Sequence, residues 1–182
     1  MRTMQSNVTA EQLLLMGAEQ GRYELIEGEL REMPPTSFYH GSVEGVVYSV
    51  LSAFVTSNQL GKVVVGEVGF ILAKSPDTVL GADVAYVSND RLPADSQGFF
   101  EGPPDLVVEV VSPSDRPTEV RRKAERWMQH GVALLWVVHP DERQVHVYAE
   151  DEKVRVLGLS DDLDGGAVLP GFRCQVAELF ET

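Results

Sequence analysis

Few folds can accommodate the segment from Asp105 to Ser112, which reads Asp-Leu-Val-Val-Glu-Val-Val-Ser. Prolines precede and follow this β-branched run, and the pattern predicts a strand that is covered on both faces. Glu109 interrupts the middle of the run. An ionised carboxylate in an apolar layer is costly unless it is paired, hydrogen-bonded or bound to a metal. The fold must therefore bring a partner to Glu109.

The next elements along the chain indicate where that partner could come from. A helix is predicted from Pro117 to His130, with Pro117 in its first turn and Gly131 as its stop. The apolar run "ALLWVVHP" then predicts another buried strand. A strand, helix and strand in this order form a right-handed crossover that places the helix over one face of the sheet. Lys123 is therefore expected above the strand that carries Glu109.

Further elements come before and after this crossover. Thr9 and Gln12 form a capping-box pattern for a short helix that Gly17 or Gly21 would close. Apolar residues at helical spacing predict a long helix from about Phe38 to Leu60, with Gly61 as its stop. The remaining strand predictions begin with a tight hairpin in "RYELIEGELREM", one or two strands in "KVVVGEVGFILA" with a bend or bulge at Gly66 and Gly69, and a strand in "ADVAYVS". An antiparallel edge hairpin is predicted in "QVHVYAE" and "KVRVLGL". The tail "GFRCQVAELF" is expected to pack back on the rest of the domain. The predicted fold class is α/β, with a mixed α+β sheet and an antiparallel edge hairpin.

The length and composition indicate a single domain. A chain of 182 residues with 43% hydrophobic content can bury one core, and residues 1–21 are expected to form an N-terminal helical flap on it. No membrane span and no secretory segment are visible, so a soluble, cytoplasmic protein is expected. Cys174 is the one cysteine, which excludes an internal disulfide and predicts a buried, inert thiol.

The charge balance bears on possible partners. The chain has 15 basic and 28 acidic residues and a net charge of -13, which argues against casual DNA binding because nucleic-acid affinity depends on Lys and Arg. One basic cluster occurs, and its members are Arg116, Arg121, Arg122, Lys123 and Arg126. It is either a local basic surface or a solvated helix face that Glu119 and Glu125 offset.

Asp83 is a second carboxylate in an apolar setting, because it opens the strand segment "DVAYV". Two carboxylates on adjacent strands are suitable ligands for Mg²⁺, which binds through one or two carboxylates and leaves positions for phosphate. In the alternative interpretation, Asp83 caps a turn after Gly81, and Glu109 pairs with an arginine of the second helix.

The ordered motifs "YELIEGEL", "HGSVEGVV", "ADVAYVS", "PPDLVVEVVSPSD", "WMQHGV", "ALLWVVHP" and "LPGF" resemble those of the Uma-type restriction endonucleases, a branch of the PD-(D/E)xK nuclease superfamily. The resemblance extends from about Tyr23 to Phe180. It implies a restriction-endonuclease-like fold and divalent-metal-dependent hydrolysis of phosphodiester bonds in DNA.

The resemblance also implies roles for individual residues. Asp83 and Glu109 match the two acids that hold Mg²⁺ (or Mn²⁺), and Lys123 matches the lysine that polarises the attacking water or steadies the developing charge. The superfamily places its lysine two residues after the second acid, where this chain has Val111. In the Uma-type family the following helix supplies it instead. Two smaller departures are Ala82 in place of proline and Glu119 in place of aspartate.

Two auxiliary positions match the family as well. Glu24 could be a third carboxylate on the metal side or an exposed hairpin residue, and His40 could contact phosphate or cap its helix. A homodimer is expected because two-fold symmetry suits cleavage of both strands of a duplex. The alternatives to a nuclease are a catalytically silent binding module on the same fold, and a structural subunit in which Glu109 meets Arg121 or Arg122 with no open pocket beside it.

Overall fold

The fold is built on one nine-stranded mixed sheet. The computed structural model describes residues 7–16, 21–94, 97–150 and 152–181. The strands of the large sheet are β1 (Arg22–Ile26), β2 (Glu29–Met33), β3 (Gly61–Ala73), β4 (Thr78–Ser88), β5 (Phe100–Glu101), β6 (Leu106–Val110), β7 (Leu134–His139), β8 (Gln144–Ala149) and β9 (Arg155–Leu157). The order is β2-β1-β4-β6-β7-β8-β9, and β3 pairs with both β4 and β5.

The predicted crossover lies at the centre of this sheet. Strands β6 and β7 are parallel, with Val108 opposite Trp136, and the helix α3 (Pro117–Gln129) connects them. Of the other pairs in the sheet, β3 with β5 is parallel and the rest are antiparallel. This arrangement confirms the predicted α/β class with a mixed sheet, and β8 and β9 form the predicted antiparallel edge.

Two helices cover opposite faces of the sheet. Val108 and Val110 of β6 share a core cluster with the apolar stripe of α2 (Phe38–Ser57). Val107 lies in a second cluster with Ala124 and Trp127 of α3. Because side chains alternate along a strand, Glu109 faces the same side as Val107. The alternation therefore directs the Glu109 carboxylate toward α3.

The end of α2 differs from the prediction. The helix was predicted to reach Leu60 and stop at Gly61, but it ends at Ser57 and Asn58 caps it through its backbone N–H. Gln59 then takes the left-handed conformation with φ 53°. Gly61 instead opens β3, where an added Cβ would lie 2.1 Å from the carbonyl oxygen of Val87. The glycine is thus required for close strand contact and not for a helix stop.

The N-terminal helix α1 (Ala10–Met16) begins with the predicted capping box. The Thr9 backbone N–H donates to Gln12 Oε1 at 2.9 Å, and the Gln12 N–H donates to Thr9 Oγ1 at 3.2 Å. Asp77 accepts from the Ala10 N–H at 2.8 Å and ties the helix to the turn before β4. Gly17 and parts of the predicted flap, residues 1–6 and 17–20, lie outside the described residues.

The C-terminal tail forms a second, two-stranded sheet that the sequence analysis did not predict. Its strands are β10 (Asp162–Gly165) and β11 (Leu169–Gln175), followed by a 3-10 helix over Val176–Phe180. The tail packs back on the core as expected, and Cys174 is buried there with its pKa raised by burial to about 12. None of the described helices has the length and apolar character that crossing a membrane requires.

Candidate active site

The predicted site residues meet in one cavity of about 330 Å³. They lie on β1, α2, β4, β6 and α3, and they are Glu24, His40, Asp83, Glu109 and Lys123. The paired positions of β4 and β6 end at Val84 opposite Val108. Asp83 and Glu109 are the next residues beyond this last pair, and both line the cavity.

Lys123 bridges two carboxylates at the α3 side of the cavity. Its Nζ lies 2.8 Å from Glu109 Oε2 and 2.9 Å from Glu24 Oε1. The Gly81 backbone N–H also donates to Glu24 Oε1, at 3.2 Å. Glu24 is 4% exposed, so it is not the exposed hairpin residue that was one of its two interpretations. We call Glu24, Glu109 and Lys123 the lysine cluster.

Trp127 fixes the second oxygen of Glu109. Its indole Nε1–H donates to Glu109 Oε1 at 2.7 Å, and Trp127 is one helical turn beyond Lys123. The partners of Glu109 on α3 are thus a lysine and a tryptophan, and a cavity lies beside them. This geometry does not match the structural-subunit alternative, in which Glu109 would meet Arg121 or Arg122 away from any pocket.

The Asp83 side chain connects β4 to β6 beyond the last paired residues of the two strands. Its Oδ2 accepts a 2.6 Å hydrogen bond from the Val110 backbone N–H, beyond the end of the ladder. Its Oδ1 lies 3.4 Å from His40 Nε2. Asp83 therefore does not act as the cap of a turn after Gly81, which was the alternative interpretation. Its carboxylate is 3% exposed and joins β4, β6 and α2.

His40 lies in the first turn of α2, but its side chain does not cap the helix. Ser37 is the N-cap, and its Oγ accepts from the His40 backbone N–H at 3.1 Å. The imidazole is directed inward, where Nε2 lies 3.9 Å from Oε2 of Glu44, one turn later on the same helix. We call His40, Glu44 and Asp83 the histidine cluster; one ligand atom from each lies within 4.8 Å of the others.

Glu67 is a further cavity residue, and a bulge in β3 positions it. The register between β3 and β4 shifts between Val65 and Val68, and Gly66 and Glu67 have φ values of 95° and 60°. This bulge confirms the predicted irregularity at Gly66, whereas Gly69 pairs in regular register with Gly81. The Glu67 carboxylate packs on Gly81, where an added Cβ would lie 2.8 Å from Oε2.

The pKa shifts in the cavity separate groups whose charged form is favoured by their neighbours from carboxylates whose charged form is disfavoured. Burial alone would lower the pKa of Lys123, but the Glu109 and Glu24 carboxylates raise it well above its ordinary value, so Lys123 is a cation at neutral pH. Burial also opposes the charge on His40, yet the Asp83 carboxylate raises its pKa. The pKa of Asp83 is lowered, because His40 and Lys123 outweigh the effect of its burial.

The other carboxylates are less well compensated. Burial raises the pKa of Glu67 to about 7, and the negative charge of Asp83 adds to that effect. Burial and Asp83 likewise raise the pKa of Glu44, and burial raises that of Glu109 despite its contact with Lys123. The elevated pKa values of Glu44, Glu67 and Glu109 therefore reflect, first, the burial of their carboxyl groups and, second, the nearby negative charge of Asp83.

The donor atoms fit a divalent cation on two grounds. The carboxylates of the two clusters and Glu67 outnumber Lys123 and His40, and carboxylate oxygens are preferred ligands of Mg²⁺ and Mn²⁺. In addition, His40 Nε2 is buried without a hydrogen-bond partner among the described residues, although it points at two carboxylates.

Sequence reasoning missed Glu44, Glu67 and the hydrogen bond of Trp127. The spacing of His40 and Glu44, one helical turn apart, was a visible signal for a shared site. Glu67 stood in the apolar run "VVVGEVGF" much as Glu109 does in its own run, and this was a second signal. No sequence signal indicated the polar contact of Trp127.

The fold is similar to that of a solved structure. A solved structure described as "a putative nuclease belonging to DUF820 from Anabaena variabilis ATCC 29413" has a TM-score of 0.81 to this chain, at 20% sequence identity. The match covers 95% of this chain and 97% of that chain. The two proteins therefore share a mixed α/β fold over nearly their full lengths.

The family assignment rests on the sequence. Residues 10–177 match the Uma2 family, which is described as "Putative restriction endonuclease". The chain belongs to the Uma2 family, and this membership supports its assignment as a nuclease. The resemblance seen in the motifs is thereby confirmed. Among curated proteins, no match to this chain was found.

Proposed function

We propose that the protein is a divalent-metal-dependent endonuclease that hydrolyses phosphodiester bonds in DNA at this cavity. Asp83 and Glu109 would hold Mg²⁺ or Mn²⁺, Lys123 would act on the developing charge, and Glu24 and His40 would be auxiliary residues. The observation that carries the proposal is the convergence of these side chains, from five different elements, on one cavity. A bound cation would supply Lewis-acid activation of water and neutralise charge on the phosphate.

Asp83 and Glu109 keep the capacity to bind a cation. Asp83 Oδ2 accepts from the Val110 N–H, and the two oxygens of Glu109 contact Lys123 and Trp127. An ionised carboxylate has about four lone-pair sites, so each oxygen retains an acceptor position after one such contact. The existing contacts fix the orientation of the carboxylates without using up their ligand capacity.

The geometry supports an electrostatic role for Lys123. A lysine that serves as general base must lose its proton near neutral pH, which requires a lowered pKa. Glu109 and Glu24 raise the pKa of Lys123 instead. We therefore propose that Lys123 remains protonated and stabilises negative charge on the phosphate, while Glu24 holds its Nζ in place.

The basic face of α3 is the proposed contact for the DNA backbone. Arg116 and Arg122 are exposed there, Arg126 of the same helix and Arg31 of β2 line the cavity, and Glu119 lines it as well. This placement gives a local basic surface on a chain whose net charge is -13. We also propose that the protein acts as a homodimer of single-domain subunits, in which the cavity of each subunit cleaves one strand of the duplex.

Cleavage of supercoiled plasmid in Mg²⁺ or Mn²⁺ tests the proposal. We expect Asp83→Asn, Glu109→Gln and Lys123→Met each to reduce the cleavage rate by about 100-fold or more, in the range found when charge stabilisation is lost. Glu125→Gln is the matched control, because Glu125 lies on the same helix but is exposed, pairs with Arg121 and does not line the cavity among the described residues. Variants as active as wild type would refute the site assignment.

The net charge favours a second candidate, a catalytically silent binding module on the same fold. The same assay separates the two functions. A wild-type protein that binds DNA or another ligand but leaves single-stranded, duplex and RNA substrates intact in both metals would support the silent module. Cleavage that depends on Asp83 and Glu109 would exclude it.

A further inference from the structure

The histidine cluster has the geometry of a metal site in its own right. His40 Nε2 lies 3.4 Å from Asp83 Oδ1 and 3.9 Å from Glu44 Oε2. Ligands at about 2.0 to 2.1 Å in tetrahedral geometry are separated by roughly 3.3 to 3.4 Å, and the separation is shorter or longer in octahedral geometry. The observed separations are therefore suitable for three ligands of one small divalent cation.

Both carboxylates of the cluster are held in position by the backbone. Glu44 Oε1 accepts from the Gly66 N–H at 3.1 Å, and Asp83 Oδ2 accepts from the Val110 N–H at 2.6 Å. In each case the other oxygen faces His40. Hydrogen bonds of this kind orient ligands and raise metal affinity, so the site needs little rearrangement to bind an ion.

His40 is the observation that separates this cluster from an ordinary group of acids. The residue is 4% exposed, and neither of its ring nitrogens makes a hydrogen bond of normal geometry among the described residues, although Nε2 lies 3.4 Å from Asp83 Oδ1. A buried polar atom without a partner is costly, and such atoms in a native protein indicate a missing ligand, ion or water. Here Nε2 is directed at two carboxylate oxygens, which is the position a cation would occupy.

From these contacts we infer that His40, Glu44 and Asp83 bind a divalent transition-metal ion through one nitrogen and two carboxylate oxygens. Imidazole suits Zn²⁺, Co²⁺ and related ions, whereas Mg²⁺ favours oxygen ligands. The inference adds Glu44 as a ligand that the sequence motifs did not indicate. It also separates the metal preference of this cluster from that of the Asp83 and Glu109 pair.

The inference deepens the proposed function and rests on it for its catalytic meaning, because Asp83 belongs to both sets of ligands. With an ion at the histidine cluster, Asp83 would connect that ion to the cavity that holds Lys123 and Glu109. The histidine cluster would thereby select a nitrogen-accepting ion beside the phosphate-binding part of the site.

Cobalt binding tests the inference independently of cleavage. The metal-free protein is titrated with Co²⁺ and followed by visible absorption and calorimetry, and Zn²⁺ is then added to displace the bound Co²⁺. We expect one Co²⁺ per chain with ligand-field bands. We also expect a loss of affinity of more than about 100-fold in His40→Gln and in Glu44→Gln, since even the loss of outer-shell partners costs 10–100-fold. Glu32→Gln, which removes an exposed carboxylate at the cavity rim, is the control and should bind like wild type.

Two results would overturn the inference. One is a folded wild-type protein that binds neither Co²⁺ nor Zn²⁺, and the other is unchanged affinity in Glu44→Gln with a native circular-dichroism spectrum. Failure of the inference alone would leave Mg²⁺-dependent plasmid cleavage that requires Asp83 and Glu109. Failure of the proposed function alone would leave His40-dependent and Glu44-dependent cobalt binding in a protein that cleaves no nucleic acid.

Discussion

The two clusters that share the cavity bury carboxylates in different ways. In the lysine cluster, the Lys123 ammonium contacts Glu109 and Glu24 at 2.8 and 2.9 Å. In the histidine cluster, the nearest positive group to Asp83 and Glu44 is the imidazole of His40, at 3.4 and 3.9 Å, and its nitrogens lack hydrogen bonds among the described residues. Lys123 of the first cluster is a cation at neutral pH, whereas the positive charge of the second cluster depends on protonation of His40, whose pKa Asp83 raises.

This difference between the two clusters predicts which of them should respond to added metal and which to substitution. Removing one partner from a buried ion pair leaves an uncompensated charge, so the lysine cluster should be sensitive to substitution. The histidine cluster and the nearby Glu67, with its raised pKa, should respond to metal and to pH instead.

Lys123→Met should have the largest effect on stability. The substitution keeps much of the aliphatic side chain but leaves Glu24 and Glu109 without their cation, and we expect a loss of about 3 to 5 kcal/mol in the free energy of unfolding. Urea denaturation at pH 7 measures it. Arg121→Met, at an exposed position on the same helix, should change stability by less than about 0.5 kcal/mol. Equal effects of the two substitutions would contradict the distinction between the clusters.

The pH dependence of stability should expose the poorly compensated Glu67. Its pKa rises from 4.5 to about 7 on folding, so the folded state disfavours its ionised form. Below the unfolded-state pKa of Glu67 the carboxyl is protonated in both states and costs no stability. As the pH rises to about 7, burial of the ionised form lowers the free energy of unfolding by an amount on the order of 2 to 3 kcal/mol. Glu67→Gln should remove this part of the pH dependence. Urea denaturation of both proteins in EDTA at pH 4.5 and pH 8 tests it, and parallel profiles would refute it.

Metal should stabilise the protein through the histidine cluster. At a Zn²⁺ concentration of 100 times the dissociation constant, mass action adds about 2.7 kcal/mol to the free energy of unfolding. The measurement is the shift of Tm between EDTA and Zn²⁺. His40→Gln should abolish the shift, whereas Lys123→Met should retain it. A Zn²⁺ response that depends on Lys123 and not on His40 would reverse the roles assigned to the two clusters.

Trp127→Phe should have a moderate effect, because it keeps an aromatic ring but removes the donor to Glu109 Oε1. A hydrogen bond to a charged group contributes about 1.5 to 3 kcal/mol. Trp136→Phe is the matched control: Trp136 is also buried, but its Nε1 has no hydrogen-bond partner among the described residues. Denaturant unfolding should show a larger loss for Trp127→Phe, and similar losses would argue against this support of Glu109.

The elements that the sequence predicted well are those with strong local signals. The apolar runs on either side of α3 predicted the parallel pair β6 and β7, and the charges within apolar strands identified Asp83 and Glu109. Lys123 followed from the handedness of the crossover together with the family resemblance. These residues were identified because a charge in an apolar segment needs a partner.

The features that were missed depend on long-range contacts or on irregular backbone. Glu24 was identified as a possible metal-side carboxylate, but its burial was left open because that burial depends on the pairing of β1 with β4. Glu67 reaches the cavity because a bulge interrupts the alternation of β3, so a period of two cannot assign its face. Gly61 looked like a helix stop, but its role is set by the close approach of β4.

A crystal soaked in Mn²⁺ tests the central claim most directly. Anomalous scattering would locate the ion without reference to activity. The account predicts a peak in the cavity within coordination distance of Asp83, with Lys123 Nζ still beside Glu109. The absence of any peak in the cavity of a well-soaked crystal, or a peak that does not involve Asp83, would contradict the account.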